Sequence, residues 1–124
     1  MSQDLIQKYI EQSEHNEMFL QKILDYSEYV DWSVTVTFYF AVHRFQAALL
    51  KDHNLRPDKH EHPDWRRSRN KLVQMLYSQH WKLYYFLYHE SQKARYVPSY
   101  HRRMKLDVIQ ERIREALNRF KKLP

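Results

Sequence analysis

The chain contains no glycine among its 124 residues, and this absence limits the folds that it can adopt. Type I′ and II′ hairpin turns, glycine-rich phosphate loops and dinucleotide-binding fingerprints all need glycine, because other residues incur a steric cost in those conformations. Most nucleotide-binding enzyme folds are therefore excluded. The sequence instead favours helices joined by short polar or proline-marked connections, and its length predicts one domain over residues 1–124.

Hydrophobic periodicity predicts an all-α, up-and-down bundle of four to five helices. The first predicted helix covers residues 2–26, with a possible break at His15-Asn16. A third predicted helix begins at Pro63, which fits its first turn. This segment forms either one helix or two shorter helices separated near residues 78–80. The last follows Ser99, its predicted cap, and its apolar stripe runs to Phe120.

The segment 31–51 is ambiguous, because residues 33–42 alternate between apolar and polar as a strand does. The apolar positions then continue to Leu50 at helical spacing, no turn residues bound a strand, and the chain offers no partner strand. We predict a buried central helix with Asp31 as its N-cap.

Composition indicates a globular protein with anionic partners. Hydrophobic residues make up 43% of the chain, and the formal net charge is +6. There is no cysteine, so disulfides and thiolate chemistry are excluded. The first residues do not resemble a signal peptide, and the longest apolar run, 38–42, is too short to span a membrane. We expect a soluble cytoplasmic protein.

Residues 53–62 form a predicted elbow between two buried helices, and the elbow is rich in histidine. His60-x-His62, with Asp58, Asp64 or His53, could chelate a metal ion from an extended loop. The spacing matches no known metal motif, and the surrounding lysine and arginines oppose a cation. We therefore predict neither a metal nor another cofactor, although a small-ligand or metal protein remains an alternative.

The residues after the elbow favour phosphate chemistry. Metal-free RNA cleavage needs groups that transfer protons and a cation that stabilises the phosphorane, which histidine and arginine supply. His62 lies just before the predicted third helix. Arg66, Arg69 and Asn70 follow at spacings that place them on one face near its N-terminus, where the helix dipole favours phosphate. The simpler interpretation is a charged, solvated connection.

Three short motifs resemble HEPN-domain proteins: Asp31-Trp32 with Phe38-Tyr39-x-Ala41-x-His43, the loop with His62 and Arg66, and Ser91-x3-Arg95-Tyr96. The resemblance covers about residues 31–110. It implies a bundle of four or five helices, frequent homodimerisation, and RNA binding or metal-independent ribonuclease activity. Family members often act in toxin–antitoxin, CRISPR-linked or anti-phage systems. Their active site is typically built across the dimer from an Arg-x4–6-His motif.

Two segments match that spacing, Arg56-x5-His62 and Arg95-x5-His101. The second is preferred, because it follows the Ser91 motif and lies at a joint between helices. In this hypothesis Arg95 and Arg66 hold phosphate, and His101 or His62 transfers protons. A further set would position the RNA: Arg69, Asn70, Tyr96 and Arg102.

The leading hypothesis is thus a homodimeric RNA-binding protein, and the sequence leaves open whether it is also a metal-independent endoribonuclease. The alternative is a non-enzymatic helical module for protein–protein interaction or dimerisation. Its interface would use an aromatic-rich segment, whose residues are first expected in the core: Tyr77, Trp81, Tyr84, Tyr85 and Tyr88. Three other histidines, His43, His80 and His89, are expected to be packing residues.

Overall fold

The computed structural model describes residues 2–103 and 106–124, and these residues form five α-helices. In chain order they are α1 (Ser2–Ile23), α2 (Val30–His53), α3 (Arg69–Leu76), α4 (Trp81–Tyr96) and α5 (Leu106–Phe120). Short 3-10 turns precede α2, α3, α4 and α5. An isolated bridge is the only β pairing in the described part of the chain, so the predicted all-α helical bundle is confirmed.

Helix α2 lies at the centre, where it packs against α1, α4 and α5. Two of its polar positions are accommodated locally, because the Thr35 and Thr37 hydroxyls donate to the carbonyls four residues earlier at 2.8 and 2.7 Å. Both threonines can therefore be buried without leaving their hydroxyl groups unpaired. The alternation that suggested a strand thus reflects a helix covered on nearly all sides.

Helix α2 ends at Asn54, which takes the left-handed conformation with φ 54° and ψ 38°. The amides of Asn54 and Leu55 donate to the carbonyls of Leu50 and Leu49 at 3.1 and 3.2 Å. Glycine usually occupies this position at the end of a helix, and asparagine is the common substitute. Asparagine thus provides the turn that a chain without glycine needs.

Aromatic side chains fill much of the core between α2, α4 and α5. The Phe45 ring contacts the Phe120, Tyr84 and Tyr77 rings with centroids 5.0, 5.3 and 5.5 Å apart, all near edge-to-face. The predicted stripe of α5 is buried as expected. In α3, however, Leu76 is 36% exposed, because the helix ends there and the following Tyr77 turns inward instead.

Several predicted boundaries were wrong, although the helices exist. Helix α1 continues through His15 and Asn16 without a break. Asp31 is not the N-cap of α2, since the helix begins at Val30 after a 3-10 turn. Ser99 does not cap α5 either: it is left-handed (φ 61°), a 3-10 turn follows it, and α5 starts only at Leu106.

The third helix starts later than predicted, at Arg69 rather than Pro63. The Asp64 carboxylate accepts the Arg66 amide and caps a separate 3-10 turn. Ser68 is then extended, and its hydroxyl caps α3 by accepting the Lys71 amide. The interruption considered near 78–80 is present as a 3-10 turn between α3 and α4.

None of the helices in the described ranges is both long enough and apolar enough to cross a lipid bilayer.

Candidate functional site

The elbow between α2 and α3 is held against the start of α3 by main-chain hydrogen bonds. The Lys59 amide donates to the Arg67 carbonyl at 3.0 Å, and the Arg69 amide donates to the Lys59 carbonyl at 2.8 Å. The Asn70 amide donates to the His60 carbonyl at 2.9 Å. This pairing brings His60 beside Arg69.

An exposed ion pair adds to this attachment. The Arg67 guanidinium binds the Asp58 carboxylate with two hydrogen bonds, of 3.0 and 2.9 Å. Hydrogen bonding from Arg67 lowers the pKa of Asp58 to about 2, and the Asp58 carboxylate in turn raises the pKa of Arg67. The charge of Arg67 is therefore engaged within the elbow.

The start of α3 differs from the predicted phosphate site. Its first three amides already have partners, which are the Lys59 and His60 carbonyls and the Ser68 hydroxyl, so they are not free to bind an anion. The expectation that Arg66, Arg69 and Asn70 share one helix face was also wrong, because Arg66 belongs to the preceding 3-10 turn.

A different set of side chains, two of them arginines, converges beneath the elbow. We call it the arginine cluster, and it comprises His60, Arg69, Arg95 and Tyr39. Arg69 forms its floor, with only 6% of the residue exposed, and its Nη1 lies 2.8 Å from His60 Nδ1. Arg95 is half-buried; its Nη1 donates to the Tyr39 hydroxyl at 2.6 Å and its Nε to the Ser91 carbonyl at 3.2 Å.

The ring of His60 is neutral at physiological pH in this environment. Burial, together with the charges of Arg69 and Arg95, lowers its pKa to about 4. Because a guanidinium only donates hydrogen bonds, Nδ1 must accept from Arg69. The single proton of the neutral ring is therefore on Nε2, and His60 offers a hydrogen-bond donor rather than a base.

Aromatic rings support the arginine cluster. The Phe38 ring packs against those of Tyr39, His60 and Tyr88 at centroid distances of 5.5, 5.4 and 5.6 Å. The Arg95 guanidinium lies over the Tyr39 ring and over the Tyr96 ring, 5.5 Å from each centroid. These contacts hold Arg95 in a fixed position while leaving part of it open to solvent.

Arg69 carries a buried charge without a balancing carboxylate. None of the ion pairs of the described residues includes it, and its Nε has no hydrogen-bond partner among them. Its main polar contact is the neutral His60 ring. Burying a cation in this way is costly unless an anion compensates it, so the arginine cluster is suited to bind an anionic group.

An open cleft of about 610 Å³ lies next to the arginine cluster, and we call it the aromatic cleft. Trp65, Trp81 and Tyr85 line it together with His62, and Asn70 also contributes to its wall. The Trp81 and Tyr85 rings are 4.9 Å apart with an interplanar angle of 31°. Asn70 directly follows Arg69 in the chain and thereby links the two regions.

The structure does not bring His101 together with Arg95 within one chain. His101 is only 2% exposed, and its Nε2 lies 3.3 Å from an oxygen of the buried Glu90 carboxylate. The hydrogen bonds of Arg95 go to Ser91 and Tyr39 instead. His101 therefore has the environment of a structural residue at the joint after α4.

The other predicted site residues are divided between the two regions. Arg69 and Arg95 belong to the arginine cluster, with Tyr96 beside it and 71% exposed. His62 lies in the aromatic cleft, where its Nδ1 accepts the Asp64 amide at 3.0 Å. Arg66 lies over the Trp65 ring, 5.0 Å from its centroid. The side chain of Arg102 lies outside the described residues.

Sequence reasoning missed the role of His60, which it considered only as a metal ligand. The contact with Arg69 spans nine residues and depends on the pairing of the elbow with the start of α3, which no spacing rule predicts. Tyr39 carried a usable signal, since it belongs to a motif of the HEPN resemblance. Residues 2–103 and 106–124 contain no group of three or more side chains arranged to hold a metal ion.

Three comparisons, with protein-family models, with curated proteins and with solved structures, found no match to this chain. The resemblance to HEPN-domain proteins stays a prediction.

Proposed function

We propose that this protein binds single-stranded RNA and holds a backbone phosphate between Arg69 and Arg95. The observation that carries the proposal is the buried, uncompensated guanidinium of Arg69 next to a neutral histidine. A phosphate would supply the missing negative charge and accept hydrogen bonds from both arginines. The Nε2–H group of His60 would be a further donor.

RNA is favoured over a small inorganic anion by the aromatic groups around the cluster. Tyr96 is exposed beside Arg95, and Trp65 and Tyr85 expose 41% and 38% of their surface in the neighbouring cleft. Unpaired bases stack on such rings while arginines bind the adjacent phosphates. The net charge of +6 also favours a polyanion.

Binding without cleavage is the function that this geometry supports best. Metal-independent cleavage requires a group that accepts the proton of the 2′-hydroxyl, and the neutral His60 ring has its free nitrogen protonated. The histidines first considered for this step, His101 and His62, are engaged with Glu90 and with the Asp64 amide. The proposal is therefore an RNA-binding protein, and incubation with RNA in EDTA should leave the RNA intact.

Titration of a fluorescent single-stranded RNA of about 10 nucleotides, followed by anisotropy, tests the proposal. Arg95→Gln should weaken binding roughly 10- to 100-fold, because a hydrogen bond to a charged group is lost. It should also reduce the slope of log K against log salt concentration by the amount expected for the loss of about one phosphate contact. Arg95→Lys should fall between wild type and Arg95→Gln, since it keeps the charge but loses the planar fork.

Arg114→Gln is the matched control, because Arg114 is exposed and pairs with Asp25 on the surface. This variant removes the same charge and should bind RNA within about twofold of wild type. If Arg95→Gln and Arg114→Gln weaken binding equally, the attraction is a general effect of net charge and the specific site is contradicted.

The second candidate function is self-association as a helical interaction module. The predicted interface on α4 is mostly turned inward, since Tyr84 is fully buried and Trp81 and Tyr88 are partly buried. A groove elsewhere on the surface favours this candidate. It has a volume of about 310 Å³, we call it the apolar groove, and it is lined by Phe19, Ile23, Tyr29 and Trp32. An apolar contact should not weaken with added salt, whereas phosphate binding should.

A further inference from the structure

We propose that the aromatic cleft is a nucleobase subsite that prefers adenine, and this inference rests on the proposed binding of RNA phosphate by the arginine cluster. Two independent features of the cleft point to a planar, hydrogen-bonding ligand. One is the set of indole and phenol rings on its walls, and the other is the side chain of Asn70.

The rings form surfaces on which a base can stack. Trp65 comes from the 3-10 turn before α3, whereas Trp81 and Tyr85 come from α4, so these rings come from two separate segments. Trp65 remains 41% exposed although Arg66 covers part of it. Every nucleobase offers a flat face to such rings, and stacking contributes substantially to binding.

Asn70 supplies a hydrogen-bonding group that is otherwise unexplained. The residue is only 4% exposed, and its Oδ1 has no partner within the described residues. Its Nδ2 makes a long contact of 3.5 Å with Glu61 and lies beside the Tyr88 hydroxyl. A buried amide oxygen without a partner costs free energy, so a ligand that donates to it gains affinity.

The chemistry of this amide, together with the larger purine ring for stacking, favours adenine; cytosine also has an exocyclic amine beside a ring nitrogen, but its ring is smaller. An asparagine can accept from the 6-amino group of adenine through Oδ1 and donate to ring nitrogen N7 through Nδ2. Hypoxanthine has the same ring size but has an oxygen at position 6, so it would face Oδ1 with a second acceptor. Uracil has no exocyclic amine and a smaller ring for stacking.

The position of the cleft agrees with a base attached to the bound phosphate. The Tyr85 and Tyr88 rings are stacked at 6.3 Å, and the Tyr88 ring lies 5.7 Å from that of His60. Rings thus extend without interruption from the cleft to the arginine cluster. One nucleotide could place its base against Trp65 and Trp81 while its phosphate lies near Arg69.

Calorimetric titration of the full chain with small ligands tests the subsite. AMP should bind roughly 5- to 150-fold more tightly than ribose 5-phosphate, because only AMP carries a base that stacks. AMP should also bind more tightly than IMP by roughly 5-fold or more, because IMP has no donor for Asn70 Oδ1 on the edge that carries N7. Equal affinities for AMP, IMP and ribose 5-phosphate would overturn the proposal.

The variant Trp65→Ala tests whether the base stacks in the aromatic cleft. Because Trp65 is partly exposed, we expect this variant to fold. It should remove most of the advantage of AMP over ribose 5-phosphate and leave the affinity for ribose 5-phosphate within about twofold. Trp32→Ala, an exposed tryptophan outside the cleft, is the matched control and should change neither value.

The two proposals fail in different ways. If ribose 5-phosphate competes with RNA in a manner that depends on Arg95 but AMP has no advantage, only the base subsite is wrong. If Arg95→Gln leaves RNA binding unchanged, the phosphate site is wrong. An AMP advantage that survives Trp65→Ala contradicts the placement of the base in the aromatic cleft.

Discussion

Among single residues, His60 makes the arginine cluster sensitive to pH. Burial and the two neighbouring guanidiniums lower its pKa from 6.5 to about 4. An anion bound between Arg69 and Arg95 would offset their charges and raise this pKa again. Nuclear magnetic resonance titration of the imidazole should therefore give a midpoint near 4, which moves upward when inorganic phosphate is added. A midpoint that phosphate leaves unchanged would contradict binding at the cluster.

The same shift has a consequence for stability. The folded pKa lies below the unfolded value, so the unfolded chain binds more protons between about pH 6.5 and 4. The contribution of neutral His60 is fully present above pH 6.5 and decreases as the pH falls through this window. Denaturant unfolding at several pH values should show wild type losing more stability on acidification than His60→Gln, which cannot titrate there.

Individual site residues could be predicted only where chemistry alone selects them. Arg69, Asn70 and Arg95 were chosen as phosphate or RNA contacts, and they lie in or beside the two regions described above. The partners of these residues could not be predicted, because they depend on tertiary contacts. His101 fits an arginine–histidine spacing, yet the joint after α4 turns it toward buried Glu90.

Among elements, the end of α2 tests how the chain manages without glycine. Asn54→Ala should destabilise the fold by about 1 kcal/mol, because alanine incurs a steric cost in the left-handed conformation. Asn54→Gly should be close to neutral, since glycine adopts this conformation readily. Urea unfolding of the two variants gives the comparison. Equal losses in both would show that the Asn54 side chain, rather than its backbone conformation, is what matters.

Elements were predicted more accurately than their boundaries. Periodic apolar positions fix where a helix exists, as the buried stripe of α5 illustrates. Boundaries depend on local hydrogen bonds that compete with one another. Asp64 and Ser68 are both good caps, and Asp64 caps a 3-10 turn while Ser68 caps α3. Pro63, which was the predicted start of the third helix, precedes both caps, so the competition between them could not be predicted from it.

For the whole molecule, the arrangement of helices follows from α2, whose apolar residues require cover on several sides. The apolar pattern of the sequence indicates that requirement and predicts a bundle with α2 at its centre. The position of the elbow close to α4 could not be predicted from the sequence, because it depends on how a short 3-10 turn joins α3 and α4. The candidate site is built at this approach, which explains why its composition was predicted better than its geometry.

The apolar groove indicates that two copies of the chain associate. Trp32, Phe19 and Tyr29 are 60%, 47% and 46% exposed, and the groove has no charged residue in its lining. A twofold contact between copies of the chain would place the groove against itself, with apolar groups on both sides. We therefore expect a homodimer in solution, and sedimentation analysis over a range of concentrations measures it.

Trp32→Ser should shift this equilibrium toward monomer, and the shift should persist at high salt because burial of apolar surface drives the association. Trp65→Ser is the matched control, since Trp65 is also exposed but lies in the aromatic cleft. A wild-type chain that stays monomeric at high concentration, or a dimer that Trp65→Ser disrupts as strongly as Trp32→Ser, would contradict dimerisation through the apolar groove. RNA binding by the Trp32→Ser monomer would further show that the arginine cluster of one chain is sufficient.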